Sequence, residues 1–123
     1  MKTLGEFYRE KVLSCDDLIT VEWPYRSDSI QIRQDLFGWK LYAGKNFIEC
    51  SSEAEARYLK VFFEAGMRSA CVPKDEEYLK GILPELESIK ARIDEVINFY
   101  LESVLDRRVR EEVKREVFIE LTK

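Results

Sequence analysis

Cys50 is the residue best placed in this sequence to do chemistry. It closes a strand-like run just before a helix start marked by Ser52 and, three residues on, Glu55. A thiol beside a helix N-terminus is favoured as thiolate and so as a nucleophile. Nucleophilic catalysis also needs a base, and the chain contains no histidine. That absence removes Ser-His-Asp, Cys-His and His-metal mechanisms within one chain. Cys15 and Cys71 complete an odd set of three thiols, none in a Cys-x-x-Cys pair. The set reads as reduced, structural cysteines that behave as small hydrophobes. The carboxylate runs Asp16-Asp17, Asp75-Glu76-Glu77 and Glu111-Glu112 could ligate a hard cation or pair for acid–base work, yet none has the fixed spacing of a cation loop. Asp75-Glu76-Glu77 is accounted for by helix capping and dipole compensation. The five glycines are isolated, so the familiar phosphate loops are absent. These observations give no catalytic, cofactor-binding or metal-binding residue, and no cofactor is expected.

The elements that must position these groups belong to one domain of 123 residues, long enough to bury an ordinary core without disulfides or metals. Hydrophobic residues make up 46% and charged residues 36%, and no apolar run approaches a bilayer span. No secretory signal opens the sequence, and a cytoplasmic location is expected. The net charge of −4 opposes long-range attraction to nucleic acid and anionic lipid, with residues 74–105 carrying four cations against eight anions. Scarce Asn and Gln beside abundant Glu, Lys and Arg resemble the balance in proteins from thermophiles.

Thr3 with Glu6 is a capping box, and Leu4, Phe7, Tyr8 and Val12 follow at helical spacing, which predicts a helix over 4–14. From Ile19 the period becomes two, through Val21, Trp23 and Tyr25, as in an edge strand ending near Pro24. Ile30 and Ile32, then Trp39 and Leu41, then Phe47 to Cys50 after the turn at Gly44, complete a three- or four-stranded antiparallel meander. Ser52 opens an amphipathic helix that Gly66 can end, and Ser69 to Val72 returns to the sheet before Pro73. Asp75 caps a long helix whose seam is Leu79, Ile82, Leu86, Ile89, Ile93, Val96 and Tyr100, kinked or restarted at Pro84. A break near 103–106, capped by Asp106, precedes a last segment read as helix on its Val109, Val113, Val117 and Leu121 spacing. The class is α+β: a small antiparallel sheet packed by helices in 1–73, with a helical hairpin or bundle in 74–123.

Three surfaces compete for a function. The seam residues Leu86, Ile89, Ile93, Val96 and Tyr100, with the off-stripe Phe99, offer an oligomer interface and an expected dimer or larger homo-oligomer. Arg107, Arg108, Arg110, Lys114 and Arg115 fall on one arc of the last helix and could meet nucleic-acid phosphates, although Glu111, Glu112 and Glu116 dilute that field. Trp23, Tyr25, Phe37, Trp39 and Tyr42 could stack on bases if they faced solvent. The sequence therefore points first to a non-enzymatic interaction or assembly module, self-associating through its long helix or meeting a protein partner. Second comes a nucleic-acid accessory domain, and third an enzyme with a histidine-independent or interface-completed site. No membrane partner is expected.

Overall fold

A computed structural model of the chain describes residues 3–25 and 29–101. Thr3 caps the first helix, its Oγ1 accepting from the Glu6 N–H at 3.1 Å, and α1 (Leu4–Phe7) continues into a π-helical turn (Tyr8–Val12). The widened turn is closed by the Leu13 N–H on the Tyr8 carbonyl at 2.9 Å. The strands that follow form two antiparallel sheets where the sequence suggested one. Among the described residues β1 (Leu18–Glu22) pairs only with β5 (Ser69–Pro73), while β2 (Gln31–Asp35), β3 (Gly38–Ala43) and β4 (Asn46–Cys50) make a separate meander in that order. Period-two alternation identifies a strand without naming its partner, and β1's partner lies some fifty residues away along the chain.

The helix α2 (Glu53–Glu64) is the hub. Ser52 Oγ accepts from the Glu55 N–H at 3.1 Å, and Gly66, at φ +99°, ends the segment in a conformation that side chains avoid. Ala54, Ala56, Tyr58, Leu59, Val61, Phe62 and Phe63 are all buried, so this helix is covered on most of its circumference. It packs against both sheets and against α3 (Glu76–Leu101). Asp75 caps α3 as expected, its Oδ1 accepting from the N–H groups of Glu77 and Tyr78 at 3.0 and 3.2 Å.

α3 is about 39 Å long at 1.5 Å per residue and passes through Pro84 without restarting. Leu79, Ile82, Leu83, Leu86, Ile89, Ile93 and Ile97 are buried on its inner side while Pro84 faces outward. Core packing on both sides of the proline holds the helix together despite the missing hydrogen bond. No helix among the described residues is long and apolar enough to cross a membrane. The expected break at 103–106 and the closing segment lie outside the described residues.

Candidate functional site

β5 explains where the Tyr8 and Tyr58 hydroxyls go. The Trp23 N–H donates to the Arg68 carbonyl at 2.7 Å and the Lys74 N–H to the Asp17 carbonyl at 3.1 Å, which continue the β1–β5 ladder at both ends. Alternation from those bonds makes Thr20 and Cys71 a non-hydrogen-bonded pair, so Cys71's backbone groups point away from β1. There the Tyr8 hydroxyl accepts from the Cys71 N–H at 2.7 Å, and the Tyr58 hydroxyl donates to its carbonyl at 2.6 Å. The two hydroxyls close the open edge of a sheet too small to protect itself. Pro73 has the same parity, so its missing N–H would also have pointed outward.

Chemically this cluster is quiet. Burial raises the pKa of Tyr8 and Tyr58, and of Tyr78, whose hydroxyl donates to the Lys11 carbonyl. Cys50, half-buried beside the Glu55 carboxylate, is pushed up to about 12, chiefly by burial and then by that charge. Each shift favours the neutral, unreactive form, the reverse of what a nucleophile or general base requires. No group of three or more Cys, Asp or Glu side chains that could hold a metal exists among the described residues.

The exposed chemistry lies at the β2–β3 hairpin. Asp35 and Gly38 form its closing pair, with Leu36 and Phe37 as the two-residue turn between them. Leu36 is 99% exposed and Phe37 85%. Asp35 Oδ1 accepts from the Phe37 N–H at 2.8 Å, and Gly38 takes φ +120° to accommodate the twist of a turn whose first two residues keep negative φ. The other carboxylate oxygen binds Lys40 Nζ at 2.7 Å. That bond draws the Asp35 pKa down, and the same bond raises that of Lys40. Lys40 is covered by aromatic rings: its Nζ lies 5.6 Å from the Phe37 centroid and 4.8 Å from that of Phe47. Tyr42 and Phe47 pair across the strands at 5.2 Å, with the Arg33 guanidinium 4.9 Å from the Tyr42 ring. The turn is thus fixed by hydrogen bonds, an ion pair and cation–π contacts while its two largest side chains stand in solvent.

The surfaces expected from the sequence fare differently. Leu86, Ile89 and Ile93 are buried within this chain, where α3 packs on α2, α1 and β5, so they are not free to meet a second helix. Val96 is half-buried and Phe99 is 73% exposed. The side chain of Tyr100 lies outside the described set, as do Arg107, Arg108, Arg110, Lys114 and Arg115. Among the sheet aromatics Trp23 is buried, stacked on Phe63 at 5.2 Å, and Trp39 shares the inner face with Leu41. Phe37 and Tyr42 remain on the outer side, joined by Phe47. The unused signal for the hairpin was Asp35-x-x-Gly38, the type I turn pattern, with apolar residues in both central positions.

The fold and this site define an α+β domain with two exposed apolar residues, Leu36 and Phe37, at the turn of a hydrogen-bonded hairpin. No protein-family model, no curated protein and no solved structure matches the chain.

Proposed function

We propose that this chain is a non-enzymatic interaction module that docks through the tip of the β2–β3 hairpin. One observation carries the reading: Leu36 and Phe37 are almost wholly exposed on a turn tied by the Asp35 bonds to the Phe37 N–H and to Lys40. Exposed apolar residues on a mobile loop would lose much of their binding free energy to ordering. On a fixed turn that cost falls, so a small contact has more effect. Binding hot spots are enriched in Trp, Tyr and Arg, and the Arg33 guanidinium over the Tyr42 ring adds such a pair to the same face. The upward pKa shifts at Cys50, Tyr8, Tyr58 and Tyr78 favour this reading over an enzymatic one. The earlier expectation of assembly is kept, and its contact surface moves from α3 to the hairpin.

Site-specific photo-crosslinking in the producing cells tests the proposal. A benzophenone side chain at Phe37 is expected to give discrete protein adducts. The same group at the exposed Lys45, beyond the opposite end of the meander, is expected to give none of them. Absence of adducts at Phe37, or the same adducts from both positions, would contradict it.

A further inference from the structure

Beyond the tip itself, we infer that the partner runs on from it as an extended peptide segment, adding a strand to the meander along the free edge of β2. The inference rests on the docking role proposed above and adds the partner's form and the place where it lies. Asp35 and Gly38 close a two-residue turn and exchange both backbone bonds, so Arg33 with Lys40 and Gln31 with Tyr42 are the next hydrogen-bonded pairs of the β2–β3 ladder. The N–H and C=O groups of Ile32 and Gln34 therefore point away from β3. Among the described residues no backbone group of another element meets them. Two outward donor–acceptor sets, roughly 7 Å apart along one line, are the complement of another extended backbone.

The other sheet edges are treated differently. On β5 the Tyr8 and Tyr58 hydroxyls take up the outward groups of Cys71, and on β4 the Tyr25 hydroxyl donates to the outward Phe47 carbonyl. β1 leaves the Thr20 groups outward as β2 does, yet among the described residues the clefts beside α2 take no wall from β1. β2 does border one. A cleft of about 400 Å³ lies between Ile32, α2 and α3, with Ile32, Val61 and Ala91 as its apolar walls and its rim charges already paired with one another.

Layer geometry places the added strand over that cleft. α2 packs beneath β2, β3 and β4 and is centred on the middle strand. Strands lie about 4.8 Å apart and packed helices roughly 8–10 Å, so α3, one helix spacing from α2, lies about two strand spacings from β3. The shared cleft puts α3 on the β2 side, beneath the position one strand beyond β2. The helix layer is thus wider than the sheet it carries, and a strand added there completes the cover. Its alternate side chains turn into the cleft against Val61 and Ala91, and its backbone meets Ile32 and Gln34. Leu36 and Phe37 follow directly on Asp35, so they flank one end of the same segment. With the rim charges neutralised, the cleft accepts small apolar side chains at every second position, and recognition comes from backbone and alternation.

Amide hydrogen exchange on the free full chain is the first test: Ile32 and Gln34 should exchange about tenfold or more faster than Arg33 and Lys40. Protection of Ile32 and Gln34 in the free chain would show the edge already covered and overturn the inference. The second test selects phage-displayed random linear nonapeptides on the immobilised full chain. Selected peptides should bind with a dissociation constant of roughly micromolar order and slow exchange at Ile32 and Gln34. N-methylation at alternate peptide residues should abolish binding, and at the residues between should not. Gln34→Pro removes an outward N–H while leaving the β2–β3 bonds in place, and Ala91→Arg fills the cleft from an exposed helix position. Each should weaken binding by about tenfold or more with an unchanged urea midpoint, as should Leu36→Ser/Phe37→Ser. Peptides weakened by the tip variant yet indifferent to Gln34→Pro, Ala91→Arg and N-methyl parity would overturn the added strand and leave the tip's docking role intact. Peptides that show that parity but ignore the tip variant would keep the strand and overturn the tip's role. No enrichment over an unrelated protein would overturn the added strand.

Discussion

Removing one oxygen atom from Tyr58 should cost this fold a substantial part of its stability. Tyr58→Phe keeps the ring that packs 4.9 Å from Phe62, so no large cavity opens, and deletes only the hydroxyl that donates to Cys71 at 2.6 Å. The Cys71 carbonyl points away from β1, so that strand cannot supply another donor, and Tyr58 itself is fully buried. An acceptor left without its partner at such a site costs about 1–3 kcal/mol, a large fraction of the roughly 5–15 kcal/mol that holds an ordinary domain together. With a urea dependence of roughly 1.5 kcal/mol per molar, a 2 kcal/mol loss lowers the unfolding midpoint by about 1.3 M. Tyr25→Phe is the comparison, because its hydroxyl donates to the Phe47 carbonyl at 3.2 Å in an exposed position where water can replace it. Its cost should stay within about 0.5 kcal/mol. Tyr8→Phe should resemble Tyr58→Phe by leaving the Cys71 N–H without its acceptor. The double variant should cost less than the sum, since local opening of β5 would hydrate both groups at once. Equal urea midpoints for Tyr58→Phe and Tyr25→Phe would refute the idea that the two hydroxyls protect the β5 edge.

Alkaline pH should act on the same cluster. Burial raises the folded pKa of Tyr58 above 10.0, so its contribution is complete below pH 10 and is lost as pH rises from there toward the folded value, at about 1.4 kcal/mol per pH unit. Urea titrations between pH 9 and 11 should show that decline, and Tyr58→Phe should make it shallower by about that slope. At the hairpin the sign is opposite. The Asp35 carboxyl lies below its usual 3.8, so its bonds persist down to that pH and loosen only below it, which the Phe37 amide resonance should report. Native Cys50, with its pKa pushed up to about 12, should react slowly with iodoacetamide at pH 8 and speed up on denaturation; equal rates would mean an accessible thiolate. Leu86→Ala should destabilise the monomer by about 2–5 kcal/mol in urea unfolding, and a cost below 1 would return the α3 seam to the surface.

Local signals were legible wherever the physics is local. Both capping boxes, the Asp75 cap, the Gly66 terminus and the alternation of the first three strands could be read because each depends on residues within one or two turns. Pairing was not. Nothing near Leu18–Glu22 distinguishes a neighbour at β2 from one at β5, and the choice depends on helices that arrive later in the chain. The α3 seam was read as apolar and available, and Leu86, Ile89 and Ile93 are buried within the chain while Phe99 is exposed. Periodicity shows that a face is covered, and only the three-dimensional arrangement shows that α2, α1 and β5 cover it. Leu36 went unused, and Phe37 was read only as one of the sheet aromatics, for a related reason. Taken singly, exposed apolar residues are ordinary, and these acquire meaning only when Asp35, Gly38 and Lys40 are seen holding them still.

Stability and contact measured together on one variant separate a docking role for the hairpin tip from a structural one. Leu36→Ser/Phe37→Ser, carrying the benzophenone at the exposed Glu49 on the same outer face, should unfold within about 0.5 kcal/mol of its parent. Irradiated in cells, it should lose the adducts that the parent forms from that position. A tip retained for docking gives that combination of unchanged fold and lost contact; full adduct yield from the serine variant would show that Leu36 and Phe37 carry no contact, and the account of the hairpin would fail.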